Sequence, residues 1–356
     1  MDDQFEAAAE SIANADAMVI GTGAGMGVDS GLGTFRGRNA GVWHPLKAMQ
    51  IDFSEMSCPD VFEEDPRAAW AFWKFRYDAY TSSEPHEGYR MLAQWGSVMP
   101  KGCFSITSNI DGHWVRTIGD QWTFEMHGAL THMQRMDCGD ESLGRPCPPP
   151  WPTDQDAMAK IRVAPWDLQP GESVEVRTRG AWEAQPASVG EDSASLARYD
   201  ADGVGGPIKA EGVRRAGGPD LCRVLEGSPL PTDENGHAAR PNVLMFGDGG
   251  FDPERIDQQE RRYTQWLDDL DKSKDKLVVV EVGAGTAVPT IRMACESLLS
   301  PRRGCKRVCL VRINLDQNLV PEHLNAIGIG GHGALEAIRK LDVLVQEKRA
   351  KKNAPA

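Results

Sequence analysis

Glycines at positions 21, 23, 25 and 27 follow directly on the apolar run at residues 17–20, and Val28, Asp29 and Ser30 come next. Glycine lets a backbone approach a phosphate without a Cβ clash, and the N–H groups at the start of a helix favour its negative charge. Gly23, Ala24 and Gly25 are thus candidates to hold a pyrophosphate. The strict spacing G-x-G-x-x-G is not met, because Met26, Val28 and Ser30 stand three beyond Gly23, Gly25 and Gly27. Thr34, Phe35 and Arg36 then add an aromatic ring and a permanently charged guanidinium compatible with phosphate. Three further stretches carry polar groups. Thr107, Ser108, Asn109, Ile110 and Asp111 run up to His113, and His127 precedes Gly128. Gly283, Ala284, Gly285 and Thr286 form a second small-residue turn, and Ile313 leads into Asn314, Leu315 and Asp316. Each also has a plain reading: an Asx turn at Asn109 and Asp111, a helix start without a ligand at Gly283, a surface histidine at His127.

Strands must deliver these groups. The runs at residues 17–20, 103–107, 123–126, 242–246, 277–282 and 307–313 are short and apolar, several rich in valine. Helical spacing appears at residues 2–14, where Phe5, Ala8, Ala9 and Ile12 share a face, and again at 67–80, 84–95, 253–270, 289–299 and 333–345. Strands alternating with helices imply a parallel sheet covered on both faces, and in such sheets ligands collect beyond the carboxyl ends of the strands. Residues 137–239 break the rhythm with a proline cluster at 146–152, repeated Gly and Ser and mixed charge, and read as an inserted, loop-rich subdomain. The expected organisation is a catalytic domain built from residues 1–136 and 240–348, the insertion between them, and a disordered tail at 349–356.

A chain of 356 residues with 40% hydrophobic content can bury its own core, and a formal charge of −13 argues against a nucleic-acid partner while suiting a cationic peptide. The first fifteen residues lack the basic and apolar regions of a secretory signal, and no apolar run is long enough for a membrane span, so a soluble, cytoplasmic protein is expected. Eight scattered cysteines do not read as a disulfide framework.

Taken together, GAG-x(4)-SG-x-x-TFRG-x(3)-G-x-W, TSNIDGHW, His127-Gly128, Phe246-Gly247-Asp248, the Gly283 turn and Ile313-Asn314 resemble, in order, the motifs of the sirtuins, NAD-dependent protein lysine deacylases. The segment RPNVLMFGD and the helix after it look most like a bacterial-type branch. The resemblance covers about residues 5–135 and 240–345, with Ser108 in place of the family's usual Gln. It implies a Rossmann-like α/β fold, a doubly wound parallel sheet with a smaller inserted subdomain, and NAD as cofactor. On this reading Gly23, Ala24, Gly25, Thr34, Phe35 and Arg36 bind NAD, as do Ser108, Asn109, Ile110, Asp111, Gly283, Gly285, Thr286, Asn314 and Asp316. Asn109 and Asp111 orient the nicotinamide amide, and His127 is the general base on a ribose hydroxyl. The implied products are free lysine, nicotinamide and an acylated ADP-ribose. An ADP-ribosyltransferase or an NAD glycohydrolase would use the same crevice.

Phe246, Gly247 and Asp248 match the family's substrate loop. Trp73 and Arg76 match the Tyr-x-x-Arg of members that remove succinyl or malonyl groups, with tryptophan for tyrosine, so deacetylation is expected, and acidic-acyl removal would depend on Arg76. Sirtuins usually carry two C-x-x-C pairs for a structural zinc. Only Cys138, Cys147 and Cys222 are available here, none in such a pair, so zinc is not expected.

Overall fold

The computed structural model describes residues 2–33, 53–138, 147–164, 173–176, 197–200, 223–270, 274–300 and 307–353. It divides into two compact units, one of Met1–Gly41, Tyr80–Ala129 and Pro253–Ala356, the other of Val42–Ala79 and Leu130–Asp252. These boundaries differ from the sequence expectation chiefly in giving residues 42–79 to the second unit.

The first unit is built on six parallel strands: β1 (Ala17–Thr22), β2 (Cys103–Thr107), β3 (Thr123–Glu125), β4 (Leu277–Val282), β5 (Val308–Ile313) and β6 (Ala326–Ile329). Their spatial order is β6-β5-β4-β1-β2-β3, with every pairing parallel. Read from the other edge this is 3-2-1-4-5-6, the order of dinucleotide-binding sheets, and its direction reverses between β1 and β4. The doubly wound α/β fold expected from the alternation of runs is what forms. Strand β1 explains how. Met18 and Ile20 face one way into a core with α1 (Asp2–Ala13), α2 (Glu87–Ser97) and α6 (Ala334–Asn353). Ala17 and Val19 face the other way, with Ile291, Cys295 and Leu298 of α5 (Thr290–Leu298) and Tyr263 of α4 (Glu254–Asp268). The period of two on each strand and of 3.6 on each helix puts a buried stripe on both sides of the sheet. Helix α6 continues through Asn353, so the expected tail from 349 is helical for its first five residues.

Two differences are instructive. The segment after the glycine turn is a 3-10 helix, Ala24–Ser30, rather than an α-helix, ended by Gly31 at φ 84°. Strand β6 escaped the sequence reading because its four residues, Ala-Ile-Gly-Ile, are too short for a periodic signal.

In the second unit Gly128–Arg135, which begins at the unit boundary, pairs with Trp151–Pro152 in a three-stranded sheet completed by Ala239–Val243, displaced from the run expected at 242–246. Inside the insertion, Ser173–Val176 pairs antiparallel with Ala197–Asp200. Helix Pro66–Ser82 supplies most of the unit's aromatic core. Among the described residues no helix is long and apolar enough to cross a membrane.

Candidate active site

At the switch point the two glycine turns meet backbone to backbone. Gly23 N–H donates to Val282 O and Gly25 N–H to Gly283 O, both at 3.0 Å. A Cβ on Gly23 would lie 2.7 Å from the Ala284 Cα and one on Gly25 2.7 Å from the Gly283 Cα, closer than real Cβ atoms come. Gly283 has φ 65°, and its own Cβ would strike the Met26 nitrogen. Glycine is therefore required at these positions by the approach of one turn to the other, which leaves both turns at the carboxyl ends of β1 and β4.

Asn314 stabilises the second turn. Its Nδ2 donates to Ala284 O at 2.9 Å, and its Oδ1 accepts from the Asp316 and Gln317 N–H groups at 3.3 and 3.0 Å. Gln317 Oε1 in turn accepts from Thr286 N–H. Asp316 is exposed, Gly285 half-buried. Thr34, Phe35 and Arg36 lie outside the described residues, as does Cys222.

Beyond β2, Ser108 N–H donates to Thr22 O. Asn109 donates its backbone N–H to Thr107 Oγ1 and its Nδ2 to Gly23 O, each at 3.0 Å, which ties it to the first glycine turn. Its Oδ1 has no hydrogen-bond donor among the described residues. Ile110 is buried. Asp111 is also buried, and its Oδ1 accepts from His113 N–H at 2.8 Å. Desolvation raises the Asp111 carboxyl pKa to about 6, against the pull of that N–H and of Arg116. His113 beside it is fully buried, and desolvation lowers its pKa to about 4, so it is neutral.

His127 follows β3 and is half-buried. Its Nε2 lies 3.1 Å from the Thr290 hydroxyl at the start of α5. Burial lowers its pKa below the ordinary histidine value, with the Ser108 backbone opposing. It is thus an unprotonated imidazole at neutral pH, the form a base requires. Glu125, two residues earlier, is buried and paired with Arg255 of α4, and Gln259 accepts the Glu125 N–H; together they fix the strand end that carries His127.

In the second unit Arg76 is buried, its guanidinium over the rings of Phe53, Trp73 and Phe72 at 4.7, 5.0 and 5.6 Å. Trp73 is fully buried, and its indole N–H has no acceptor among the described residues. Phe246 is 47% exposed, and Gly247 turns at φ 69°. Asp248 is buried with both oxygens on Arg240 at 2.7 and 2.8 Å, and also accepts from Met245 and Gly250 N–H, so its carboxylate is used within the loop.

Residues 23–151 match the model of the Sir2 family. That stretch is similar to the Sir2 family. The chain is 30% identical over 120 residues to an NAD-dependent protein deacylase of Aquifex aeolicus, covering 34% of this chain and 47% of the relative. It is 33% identical over 132 residues to one of Thermococcus kodakarensis, covering 37% and 48%. Against the mitochondrial sirtuin-5 deacylase of Danio rerio it is 28% identical over 168 residues, covering 44% and 53%. The chain thus spans about half the length of the curated relatives it matches. Among solved structures, a Sir2 homologue–ADP-ribose complex superposes with TM-score 0.56 at 16% identity, covering 98% of each chain. A Sir2 homologue–NAD complex gives 0.54 at 18%, covering 96% of this chain and 93% of that one. These two establish the fold.

The first unit offers groups of the kind a dinucleotide needs: two glycine turns in backbone contact at the switch point, a neutral imidazole, and two acceptors, Asn109 Oδ1 and the Asp111 carboxylate. The chain does not fit the family's zinc. Cys138 and Cys147 are joined as a disulfide, Cα atoms 5.6 Å apart, and a disulfide has no thiolate to donate. Asp252 is the one further ligand-type group gathered with them among the described residues. Among the described residues Cys138–Cys147 is one local bridge, while Cys58, Cys103, Cys295 and Cys309 are free thiols. Sequence reasoning missed Thr22, Trp114 and Thr290, since a threonine at a strand end and a tryptophan in a helix carry no chemical signature until the fold brings them together.

Proposed function

We propose that the protein is an NAD-dependent protein lysine deacylase that acts in the cytoplasm on cationic acyl-lysine peptides. The observation that carries this reading is His127, held neutral by burial at the carboxyl end of β3, in one unit with Asn109, Asp111 and the two glycine turns. When bound, NAD supplies an electrophilic ribose and a nicotinamide leaving group. Gly23, Ala24 and Gly25, with Arg36, hold the pyrophosphate. Gly283, Gly285, Thr286, Asn314 and Asp316 hold the adenosine end. Asn109 Oδ1 and the Asp111 carboxylate accept the two N–H bonds of the nicotinamide amide, which asks Asp111 to be ionised. His127 Nε2 takes the proton of a ribose hydroxyl. Acetyl is the expected acyl group; succinyl and malonyl removal depends on Arg76 and the Trp73 N–H, which has no acceptor among the described residues, with Phe246, Gly247 and Asp248 shaping the peptide loop.

The test is product analysis with an acetyl-lysine peptide and NAD. Free lysine together with acylated ADP-ribose is expected. Nicotinamide release without acyl transfer would replace this reading with an NAD glycohydrolase, and ADP-ribose left on the peptide would replace it with a transferase.

A further inference from the structure

Three side chains far apart in sequence form a directed hydrogen-bond relay beneath the loop that carries Asn109. The Trp114 indole N–H donates to Thr22 Oγ1 at 2.8 Å, the Thr22 hydroxyl donates to Thr107 Oγ1 at 2.9 Å, and the Thr107 hydroxyl donates to Thr22 O at 3.1 Å. The Asn109 backbone N–H then donates to Thr107 Oγ1 at 3.0 Å. Trp114, Thr22 and Thr107 are all buried, 1%, 0% and 2% exposed, so water does not compete for these bonds.

The two ends of the relay are fixed donors. Indole N–H and peptide N–H groups donate and cannot accept. Trp114 occupies one lone pair of Thr22 Oγ1, and the Thr22 hydroxyl donates onward to Thr107 Oγ1. Thr107 must then spend its own proton on Thr22 O, and its remaining lone-pair capacity faces Asn109 N–H. With its backbone held there, Asn109 reaches Gly23 O through Nδ2, which leaves Oδ1 without a donor among the described residues. Trp114 is at the start of α3 (His113–Ile118), Thr22 ends β1 and Thr107 ends β2, so the relay locks a helix and two strand ends to one another.

We propose that Trp114 and Thr22 are positioning residues that set the Asn109 amide, and through it the grip on the nicotinamide end of NAD as distinct from the ADP-ribose end. The nicotinamide part of this inference rests on the proposed deacylase reading; the ordering of Asn109 does not.

The experiment compares Trp114→Phe, Thr22→Val and Thr22→Ser in the full chain, each first checked by circular dichroism for a native spectrum. Trp114→Phe removes the N–H and keeps an aromatic ring; Thr22→Val replaces the hydroxyl with a methyl. Both should speed hydrogen exchange at the Asn109 amide and slow nicotinamide release by about tenfold, as expected for one buried hydrogen bond lost. Affinity for ADP-ribose, which lacks the nicotinamide, should stay within about twofold by the same reasoning, and Thr22→Ser should restore wild-type exchange and turnover. Unchanged exchange at Asn109 in a folded variant would overturn the relay. So would a loss of ADP-ribose affinity equal to the loss of turnover, which marks general damage. If Trp114→Phe does not fold, Thr22→Val against Thr22→Ser decides the question. If the wild-type chain binds ADP-ribose and releases no nicotinamide, the deacylase reading falls, and the exchange rate at Asn109 alone decides the relay.

Discussion

The two units hold their candidate residues by different physics. In the first, largely apolar strands bury both faces of a sheet, with the buried Glu281–Arg312 and Glu125–Arg255 pairs set into it, and the candidate polar groups follow the strand ends: Asn109 after β2, His127 after β3, Asn314 after β5. In the second, the Phe246-Gly247-Asp248 loop is held by buried polar groups. Arg240 grips Asp248 bidentately, and Asn242 donates to Gln134 Oε1 and Asp252 O, while Gln134 donates to Gly250 O. A sheet of Val and Ile tolerates a polar rim because its stability comes from area removed from water. A loop fixed by an internal ion pair has no such reserve, since each partner left alone is a buried charge. Substitutions at the exposed or half-buried strand-end groups should therefore cost activity in the first unit, and substitution within the Arg240–Asp248 clamp should cost stability in the second.

The largest effect expected is on activity in the first unit. Removing a positioned base typically costs about 10²–10⁴-fold, so His127→Ala should lower deacylation by that factor while NAD binding and the unfolding midpoint stay near wild type. Deacylation at the wild-type rate would break the assignment of His127 and the comparison with it. The pH profile sharpens the same point. His127 must be unprotonated to act, and burial lowers its folded pKa, so the acid limb of kcat/KM should fall below the ordinary histidine value of about 6.5. A limb above that value would mean that His127 sits beside a carboxylate rather than in a desolvated site.

Next comes stability in the second unit. Asp248→Ala strands the Arg240 guanidinium, whose side chain is 2% exposed, and should destabilise by about 3–5 kcal/mol in urea unfolding. Asp248 would be a substrate contact first and a loop clamp second if the variant kept its stability and lost only KM for the peptide.

These contrasts also explain what could be read from the sequence. Strands at residues 103–107 and 277–282 were legible because short apolar runs, the second rich in valine, followed at once by polar or glycine residues have few other fates, and the glycines at 23, 25 and 283 were legible as turns. That those two turns pack against each other was not, since it requires a register between strands about 260 residues apart. The Gln134–Asn242 bond joins residues 108 apart, and the Trp114–Thr22 bond 92 apart. No local pattern announces either, and the polar residues involved look like surface until burial is known. The assignment of residues 42–79 to the second unit was hidden for the same reason: helix Pro66–Ser82 shows its aromatic core in sequence but not which core it joins.

Asp111 tests whether the first unit gives up stability for its polar rim. Its folded pKa of about 6 stands above the unfolded carboxylate value, so between about pH 4 and 6 the folded chain binds more protons than the unfolded one. Stability from this group is present at acid pH and is lost as pH rises through that window. Asp111→Asn cannot ionise and keeps an oxygen for the His113 N–H. It should therefore be more stable than wild type at pH 7, by up to roughly 3 kcal/mol for a shift near two units. The gain should vanish near pH 4, and nicotinamide release should fall. A variant less stable than wild type at pH 7 would show that the carboxylate is paired rather than strained by burial.

The smallest effect expected concerns Arg76, where the second unit carries a group that serves both purposes. Its guanidinium lies over three aromatic rings, an arrangement worth about 0.5–2 kcal/mol, and Arg76→Met, which keeps the apolar stem in the aromatic cluster, should lose that contribution to stability. The guanidinium also carries a fork of donors near the Trp73 N–H, which has no acceptor among the described residues, and a carboxylate-bearing acyl group would use both. A charge-assisted hydrogen bond contributes about 1.5–3 kcal/mol, so kcat/KM for a succinyl-lysine peptide should fall at least about tenfold in Arg76→Met. The value for an acetyl-lysine peptide should not move, because acetyl has no carboxylate to lose a partner. The ratio of the two substrates is the measurement, since it cancels any general loss of folded protein. An unchanged ratio returns Arg76 to a purely structural role among Phe53, Phe72 and Trp73, and the second unit would then contribute packing and no acyl specificity through this helix.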